Sequence, residues 1–177
     1  YRFTTRAAAV DTVPFGAFNR ALFERVGKFD ESLLTNEDYE LNTRVRQQGG
    51  RIWLDPAIRS RYFARSSLQA LARQYFRYGY WKQRMLRRYP ATLRWRQALP
   101  PLFVLALAAM LVLAPFWNVA RILLLLQVGL YLLALLAGAL PIALKQKDLR
   151  LLAGIPLAIS TMHLSWGSGF WVSLLNR

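Results

Sequence analysis

Residues 97–120 have the sequence QALPPLFVLALAAMLVLAPFWNVA, and residues 122–144 have the sequence ILLLLQVGLYLLALLAGALPIAL. Neither stretch contains Asp, Glu, Lys or Arg, and a third stretch without these residues covers 151–176. A helix of about 20 apolar residues crosses a hydrocarbon core about 30 Å thick. The sequence therefore predicts that residues 97–177 form an all-α transmembrane region of three helices.

The third stretch is more polar than the first two, because it contains several hydroxyl side chains and His163. A re-entrant or interfacial segment is therefore the alternative to a third span. An ionisable residue inside a membrane segment is a functional candidate by default. The alternative role for His163 is packing through a hydrogen bond. No metal site is predicted there, since the chain has no second His and no Cys.

Charged and apolar residues are segregated along the chain. Its 177 residues include 24 Lys+Arg, 9 Asp+Glu and 55% hydrophobic residues, with no cysteine. This hydrophobicity excludes ordinary disorder, and the absence of cysteine excludes a disulfide scaffold and cysteine-based metal or redox sites. Residues 59–96 contain eleven basic residues and no acid. The positive-inside rule therefore predicts that residues 1–96 and 145–150 are cytoplasmic, with Arg121 and Arg177 opposite. The expected location is the cell (inner) membrane, crossed by several helices.

The region before the membrane segments mixes short helix and strand patterns, which is typical of an α/β fragment. Asn19 is suited to begin a helix that Gly27 ends, and Gly49 with Gly50 ends a second helix. Ser66 and Gln69 have the spacing of a capping box for a long helix. The predicted elements are helices over 20–26 and about 37–48, strands over 51–54 and 57–63, and a helix from 66 to about 88.

Glu37 and Asp38 lie in the first turn of the second predicted helix, with Glu40 behind them. Acids at this position complement the helix dipole, which contributes roughly 0.3–1 kcal/mol each. Alternatively, one carboxylate points from the helix start into a cleft and acts as a general base toward an incoming hydroxyl. The pair alone does not decide between the two roles.

The long helix combines an apolar face with a second face that carries four arginines, Arg73, Arg77, Arg84 and Arg88. A basic amphipathic helix before a membrane span is expected to lie in the interface, with its cations near anionic headgroups. Alternatively, Arg73, Gln74 and Arg77 bind a diphosphate, because guanidinium groups match phosphate oxygens. Membrane lipid is therefore an expected partner, whereas the membrane segments argue against nucleic acid.

An ordered series of short motifs spans residues 11–170. The series contains PFGAFNR at 14–20, FERVGKFDE at 23–31, TNEDYEL at 35–41, RVR at 44–46, GGRI at 49–52, RSSL at 65–68, QYFRYGYW at 74–81 and HLSWG at 163–167. Together these motifs resemble the C-terminal half of family 2 glycosyltransferases of the GT-A fold, in particular membrane-bound, succinoglycan-type enzymes of exopolysaccharide synthesis. By this resemblance, residues 1–65 are the acceptor-side part of a GT-A domain, 66–96 an interface helix with a basic linker, and 97–177 the membrane region.

The resemblance implies roles for the two acids and for a glycine. Glu37 and Asp38 correspond to the family's ED motif, so Asp38 is expected to be the catalytic base. Glu37 is expected to support Asp38 or to contact the acceptor. Gly16 and its neighbours are expected to line the acceptor side. The implied reaction transfers a sugar from a nucleotide sugar to a lipid-linked saccharide.

On the long helix, Gln74 and Arg77 resemble the start of the family's Q-x-x-R-W signature, which binds near the donor diphosphate. Tyr78 follows Arg77 directly, and Trp81 lies three residues further on. Because of this departure, addition of a single sugar is expected rather than processive synthesis.

The chain contains no Asp-x-Asp motif and begins at Tyr1 rather than Met. We therefore expect a fragment that lacks the family's nucleotide-binding N-terminal half, where a divalent cation (Mg²⁺ or Mn²⁺) is expected to bind. No cofactor is expected in this chain, which is then inactive alone. The alternative interpretation is a non-catalytic anchoring or interaction protein of the membrane.

Overall fold

The computed structural model describes residues 6–13, 16–59, 61–90 and 94–176. Two compact units divide the described residues: one within Tyr1–Ala64 and Arg84–Thr92, the other within Arg65–Gln83 and Leu93–Arg177. The elements in chain order are β1 (Ala8–Val10), α1 (Arg20–Val26), α2 (Glu37–Gln47), β2 (Ile52–Leu54), α3 (Leu68–Arg88), α4 (Trp95–Leu113), α5 (Asn118–Gln146) and α6 (Leu151–Leu175).

The sheet of the first unit has two antiparallel strands, with Ala8 opposite Leu54 and Val10 opposite Ile52. Strand β2 confirms the predicted strand over 51–54, whereas its partner β1 has no counterpart in the sequence prediction. Ile52 points into the core of this unit, which also contains the buried side chains of Val26, Leu41 and Val45.

The predicted strand over 57–63 is wrong for the residues that the structure describes there, 57–59 and 61–63, which form a turn and irregular chain. The Ala57 N–H donates to Asp55 Oδ1 at 2.8 Å, and this turn leads the chain away from β2. Ile58 and Phe63 are 76% and 79% exposed. Apolar spacing alone does not make a strand, because a strand needs a partner for its backbone groups.

Helices α1 and α2 confirm the predicted elements to within one residue. Asn19 Oδ1 accepts a hydrogen bond from the Ala21 N–H at 3.0 Å and begins α1. Gly27 follows α1 with φ +86° and Gly49 follows α2 with φ +78°. Residues with a side chain rarely adopt positive φ, so glycine is suited to both helix ends.

Helix α3 also confirms its prediction, although the capping bond comes from a neighbouring serine. Ser67 Oγ accepts a hydrogen bond from the Ala70 N–H at 3.2 Å. The predicted capping box placed this role on Ser66 and Gln69. Because the helix begins at Leu68, Ser67 stands directly before it and can reach the N–H three residues further on.

The turn between the first two membrane-type helices lies earlier than the charge pattern predicts. Helix α4 ends at Leu113 and α5 begins at Asn118, so the predicted first stretch over 97–120 contains the turn. Arg121 lies inside α5, where its guanidinium donates to the backbone oxygens of Ala114 at 2.6 Å and Pro115 at 3.1 Å. A single arginine near a helix start binds the preceding carbonyls and does not itself interrupt the helix.

Helix α4 contains two prolines near its start. Pro100 and Pro101 lie inside α4, which begins at Trp95. The backbone oxygen of Pro101 accepts a hydrogen bond from Trp171 Nε1 at 2.8 Å. A Cβ on Gly167 would lie 2.6 Å from the Pro100 oxygen. Helix α6 therefore contacts α4 at its two prolines.

The same contacts show that α4 and α6 are offset along the bundle. Gly167, which faces Pro100, lies about 24 Å along α6 from Leu151 at 1.5 Å per residue. The charge pattern predicts that α4 and α6 begin at the same membrane face. The offset does not support that arrangement, so the predicted orientation stays a prediction.

Helices α4 and α5 are each long and apolar enough to cross a membrane, by length and composition. Among the described helices, α6 is not apolar enough to meet the same requirement. Its Ser, Thr and His side chains lower its hydropathy, although its 25 residues form a continuous helix. The structure thus contains a helical region of membrane type, and the third span stays a prediction.

Candidate functional site

The residue directly before the candidate acids, Asn36, has an unusual backbone conformation. Asn36 precedes α2 with φ +70° and ψ +16°, which is the left-handed region, and its side chain makes no capping bond. Its Nδ2 atom is buried and has no hydrogen-bond partner within the described residues. Asn is among the few residues other than Gly that adopt this conformation readily. The backbone conformation of Asn36 therefore determines the direction of the chain at the start of α2, where Glu37 and Asp38 lie.

Of the three acids in the first turn of α2, Glu40 has a structural role. Its side chain is buried and accepts two hydrogen bonds from Arg44, at 2.5 and 2.8 Å. The Arg44 guanidinium also donates to the backbone oxygens of Val26 and Lys28. Arg44 thereby joins α2 to the end of α1 and compensates the buried carboxylate.

Asp38 has a different environment, because the residue is exposed and its carboxylate forms no ion pair in the described part of the chain. The loss of part of its hydration among neighbouring protein atoms raises the pKa of Asp38. The Tyr39 N–H, which donates to Oδ1 at 2.6 Å, opposes the rise in pKa, and the negative charge of Glu37 adds to it. A carboxylate with a raised pKa is a stronger base for a hydroxyl proton.

A cavity of about 380 Å³ lies in the same unit and contains Gly16 in its lining. A Cβ on Gly16 would lie 2.8 Å from the ring of Phe18, so the glycine allows a close approach of backbone and ring. Neither Glu37 nor Asp38 lines this cavity. The structure therefore places Gly16 in a concave site but does not bring the two predicted acids into it.

The cavity also contains residues that the sequence analysis did not select. Trp53 is 60% exposed on β2, and Arg51, Asp55 and Asn19 contribute polar groups to the lining. The only hint in the sequence was a tryptophan in a short predicted strand before the Asp55-Pro56 turn. This hint was not sufficient to predict the cavity, because its lining combines residues around Gly16 with residues around β2.

The basic face of α3 differs in part from its prediction. Arg88 pairs with Asp30 and donates to Ser32 Oγ at 3.1 Å, so its charge is used inside the first unit. Arg84 is half-buried, whereas Arg73 and Arg77 are exposed. The arginines available to an external anion are therefore those of the N-terminal half of the helix.

Gln74, Arg77 and Trp81 lie in the second unit, on α3. Gln74 accepts a hydrogen bond from Arg65 Nε at 2.9 Å and donates one to the Tyr78 hydroxyl at 2.6 Å. Trp81 packs edge-on against Tyr80, with ring centroids 5.8 Å apart. Gln74 is held in place by its neighbours, and the exposed guanidinium of Arg77 is available to an anion.

Helix α3 is fixed against α6 by close backbone contacts. A Cβ on Gly79 would overlap the backbone oxygen of Trp166, and one on Gly169 would overlap that of Phe76. Ser173 Oγ donates to Gln83 Oε1 at 3.0 Å in a buried hydrogen bond. This packing determines the position of the helix that carries Gln74 and Arg77.

His163 has the hydrogen bond that its packing interpretation requires. Its Nδ1 lies 3.1 Å from the Tyr131 hydroxyl of α5. The Tyr131 ring in turn packs against Phe103 of α4, with ring centroids 4.5 Å apart. The histidine thus belongs to a contact that joins all three apolar helices.

Metal-ligating side chains do not come together in groups of three among the residues that the structure describes. No chemical step is assigned to a metal ion on this chain.

Comparison with curated proteins finds two relevant similarities. The chain is 35% identical over 156 residues to the succinoglycan biosynthesis protein ExoA of Rhizobium meliloti (strain 1021), covering 87% of the chain and 45% of that protein. It is 25% identical over 167 residues, 94% of the chain and 48% of the relative, to a protein of Methanococcus voltae named dolichyl N-acetyl-alpha-D-glucosaminyl phosphate 3-beta-D-2,3-diacetamido-2,3-dideoxy-beta-D-glucuronosyltransferase.

The chain thus spans about half the length of the curated relatives it matches. No protein-family model and no solved structure matches it. The expected resemblance to family 2 glycosyltransferases is confirmed by the two similarities.

Proposed function

We propose that the complete protein is an inverting glycosyltransferase that acts in exopolysaccharide or cell-envelope glycan synthesis. It transfers a sugar from a nucleotide sugar to a lipid-linked saccharide, and this chain supplies the acceptor-side part of a GT-A domain and the membrane region. The similarity to ExoA along 87% of the chain supports this function. That similarity carries the proposal, and Asp38 is assigned the role of base because it is an exposed residue with a raised pKa and no ion pair among the described residues.

In the proposed reaction, Asp38 removes the proton from an acceptor hydroxyl. The resulting oxygen attacks the anomeric carbon of the donor sugar from the face opposite the diphosphate. The new glycosidic bond forms as the bond to the nucleoside diphosphate breaks, so the configuration at the anomeric carbon inverts. Glu37 supports the base, since its negative charge helps to raise the pKa of Asp38.

The remaining site residues bind the two substrates. The cavity lining around Gly16 is assigned to the acceptor. The exposed guanidinium of Arg77 contacts the donor diphosphate, with Gln74 and Trp81 on the same helix beside it. A divalent cation and the nucleoside belong to the nucleotide-binding half of the complete protein, and this chain alone is inactive.

The proposed location is the inner face of the cell membrane, with residues 1–96 in the cytoplasm. Exposed Arg73 and Arg77 on α3 favour a position beside anionic headgroups. Helices α4 and α5 hold the enzyme in the bilayer that contains its acceptor. This location supplies both a soluble donor and a membrane-bound acceptor.

The test is sugar transfer by the full-length protein and its Asp38→Asn variant. General base catalysis contributes about 10²–10⁴-fold, so the variant is expected to lose at least about 100-fold in kcat. Glu24→Gln is the matched control, because Glu24 is an exposed acid on α1. Transfer by Asp38→Asn at a rate close to that of the control would refute the role of Asp38.

A second function, a non-catalytic membrane anchor, is favoured by one observation. Asp38 does not line the cavity that contains Gly16. An anchor predicts that the full-length protein transfers no sugar under conditions in which related transferases act. Transfer that depends on Asp38 excludes the anchor.

A further inference from the structure

The segment after β2 exposes three bulky apolar side chains within six residues of sequence. Ile58 is 76% exposed, Tyr62 54% and Phe63 79%. These residues follow the Asp55 turn in irregular chain rather than in a strand. Grouped exposure of large apolar side chains marks a contact surface rather than ordinary soluble surface.

The same segment carries two exposed cations. Neither Arg59 nor Arg61 forms a hydrogen bond or an ion pair within the described residues, and both are exposed. The sequence contains no Asp or Glu from residue 56 to residue 147. We refer to Ile58, Arg59, Arg61, Tyr62 and Phe63 as the basic aromatic loop. Its contact surface is suited to an apolar partner that also carries negative charge.

A lipid surface meets both requirements. Aromatic and aliphatic side chains enter the region between headgroups and acyl chains, while neighbouring arginines remain at the phosphates. A free phosphate would bind the arginines but leave Phe63 in water. The chain also contains α4 and α5, each able to cross a membrane, so a bilayer is the apolar phase available to it.

We infer that the basic aromatic loop inserts into the surface of an anionic lipid bilayer, with Ile58, Tyr62 and Phe63 at the level of the headgroups. The proposed contact uses residues other than those of the crossing helices and the arginines of α3. It requires no catalytic role for Asp38. It gives the first unit a lipid contact of its own.

A single fluorophore tests the insertion, because the chain contains no cysteine. Ala64→Cys, an exposed position beside Phe63, is labelled with an environment-sensitive dye and the chain is placed in vesicles of phosphatidylcholine with phosphatidylglycerol. We expect blue-shifted emission and quenching by nitroxides at headgroup depth. Ala21→Cys on α1 provides a second labelled position, where a smaller shift is expected.

Charge and apolar contributions are separated by matched variants of the labelled chain. Each arginine near an anionic surface is worth about fivefold in partitioning, so Arg59→Gln and Arg61→Gln together are expected to weaken insertion about 25-fold. Phe63→Ser is expected to reduce the blue shift, whereas Leu34→Ser, at a site 68% exposed, leaves it unchanged.

Three results would overturn the inference. The first is water-like emission from position 64 in both anionic and neutral vesicles. The second is a blue shift without nitroxide quenching, which would mean that protein rather than lipid covers the loop. The third is an equal response at positions 21 and 64.

Discussion

The guanidinium of Arg44 binds the buried carboxylate of Glu40 through two hydrogen bonds, at 2.5 and 2.8 Å. Glu40 is 1% exposed and lies one helical turn before Arg44. Because Arg44 also donates to the Val26 and Lys28 oxygens, the pair joins α2 to the end of α1. The carboxylate of Glu40, two residues after the candidate base Asp38, is thus a structural group.

Removal of one partner of this pair is expected to destabilise the first unit. In Arg44→Ala the buried carboxylate of Glu40 loses its counter-charge, which typically costs about 3–5 kcal/mol. The free energy of unfolding from denaturant titration measures the effect. Glu24→Ala, at an exposed acid, is expected to change it by less than about 0.5 kcal/mol. Equal stabilities for the two variants would contradict the structural role of Arg44.

The crossing of α3 and α6 predicts opposite effects for two helical glycines. In Gly79→Ala the new Cβ overlaps the backbone oxygen of Trp166, and overpacking costs typically about 1–3 kcal/mol. Nothing lies within 4 Å of the position that a Cβ on Gly138 of α5 would occupy. Gly138→Ala is therefore expected to be neutral or to stabilise by about 0.5–1 kcal/mol. Thermal unfolding in detergent distinguishes the two, and a Gly79→Ala variant as stable as Gly138→Ala would show that the helices do not approach so closely.

Lys82 predicts a pH dependence of stability. Burial, with a smaller effect of the Arg94 charge, lowers the pKa of Lys82 to about 8 from 10.5. The folded protein then binds fewer protons than the unfolded chain between these values, so this group stabilises with rising pH from about 8 to 10.5. At pH 7 the lysine is charged in both states, and its burial is unfavourable.

Lys82→Met is therefore expected to raise Tm at pH 7, and the gain should shrink as pH rises above 8. Met keeps a long apolar chain in the buried position without the charge. Lys145→Met, at an exposed position near the end of α5, is the control and should show no such trend. A pH-independent difference between wild type and Lys82→Met would contradict the lowered pKa.

Local signals in the sequence were sufficient for several elements. The Asn19 cap, the Gly27 and Gly49 ends, and the extents of α1 and α2 depend on hydrogen bonds between residues a few positions apart. Such interactions are encoded in the neighbouring residue types and need no tertiary partner. The apolar runs of α4 and α5 were recognisable for a similar reason, since length and composition define them.

For the candidate site, residue types identified the acids, and the tertiary structure distinguished them. The sequence places Glu37, Asp38 and Glu40 together in one turn. Only the position of Arg44 and the burial of Glu40 show which carboxylate serves the fold. Asp38 differs because no cation of the described residues reaches it.

The sequence by itself determined the segregation of charge and apolar residues, the helices with local caps, and the candidate acids. The tertiary structure decided that β1 pairs with β2 and that the described residues of 57–63 form a turn and irregular chain. It also decided that the α4–α5 turn lies at 114–117 and that Gly16 and Trp53 share a cavity. Each of these depends on groups distant in the chain or on backbone partners that a local pattern does not specify. Burial and pairing of polar groups, rather than residue type, determine such contacts.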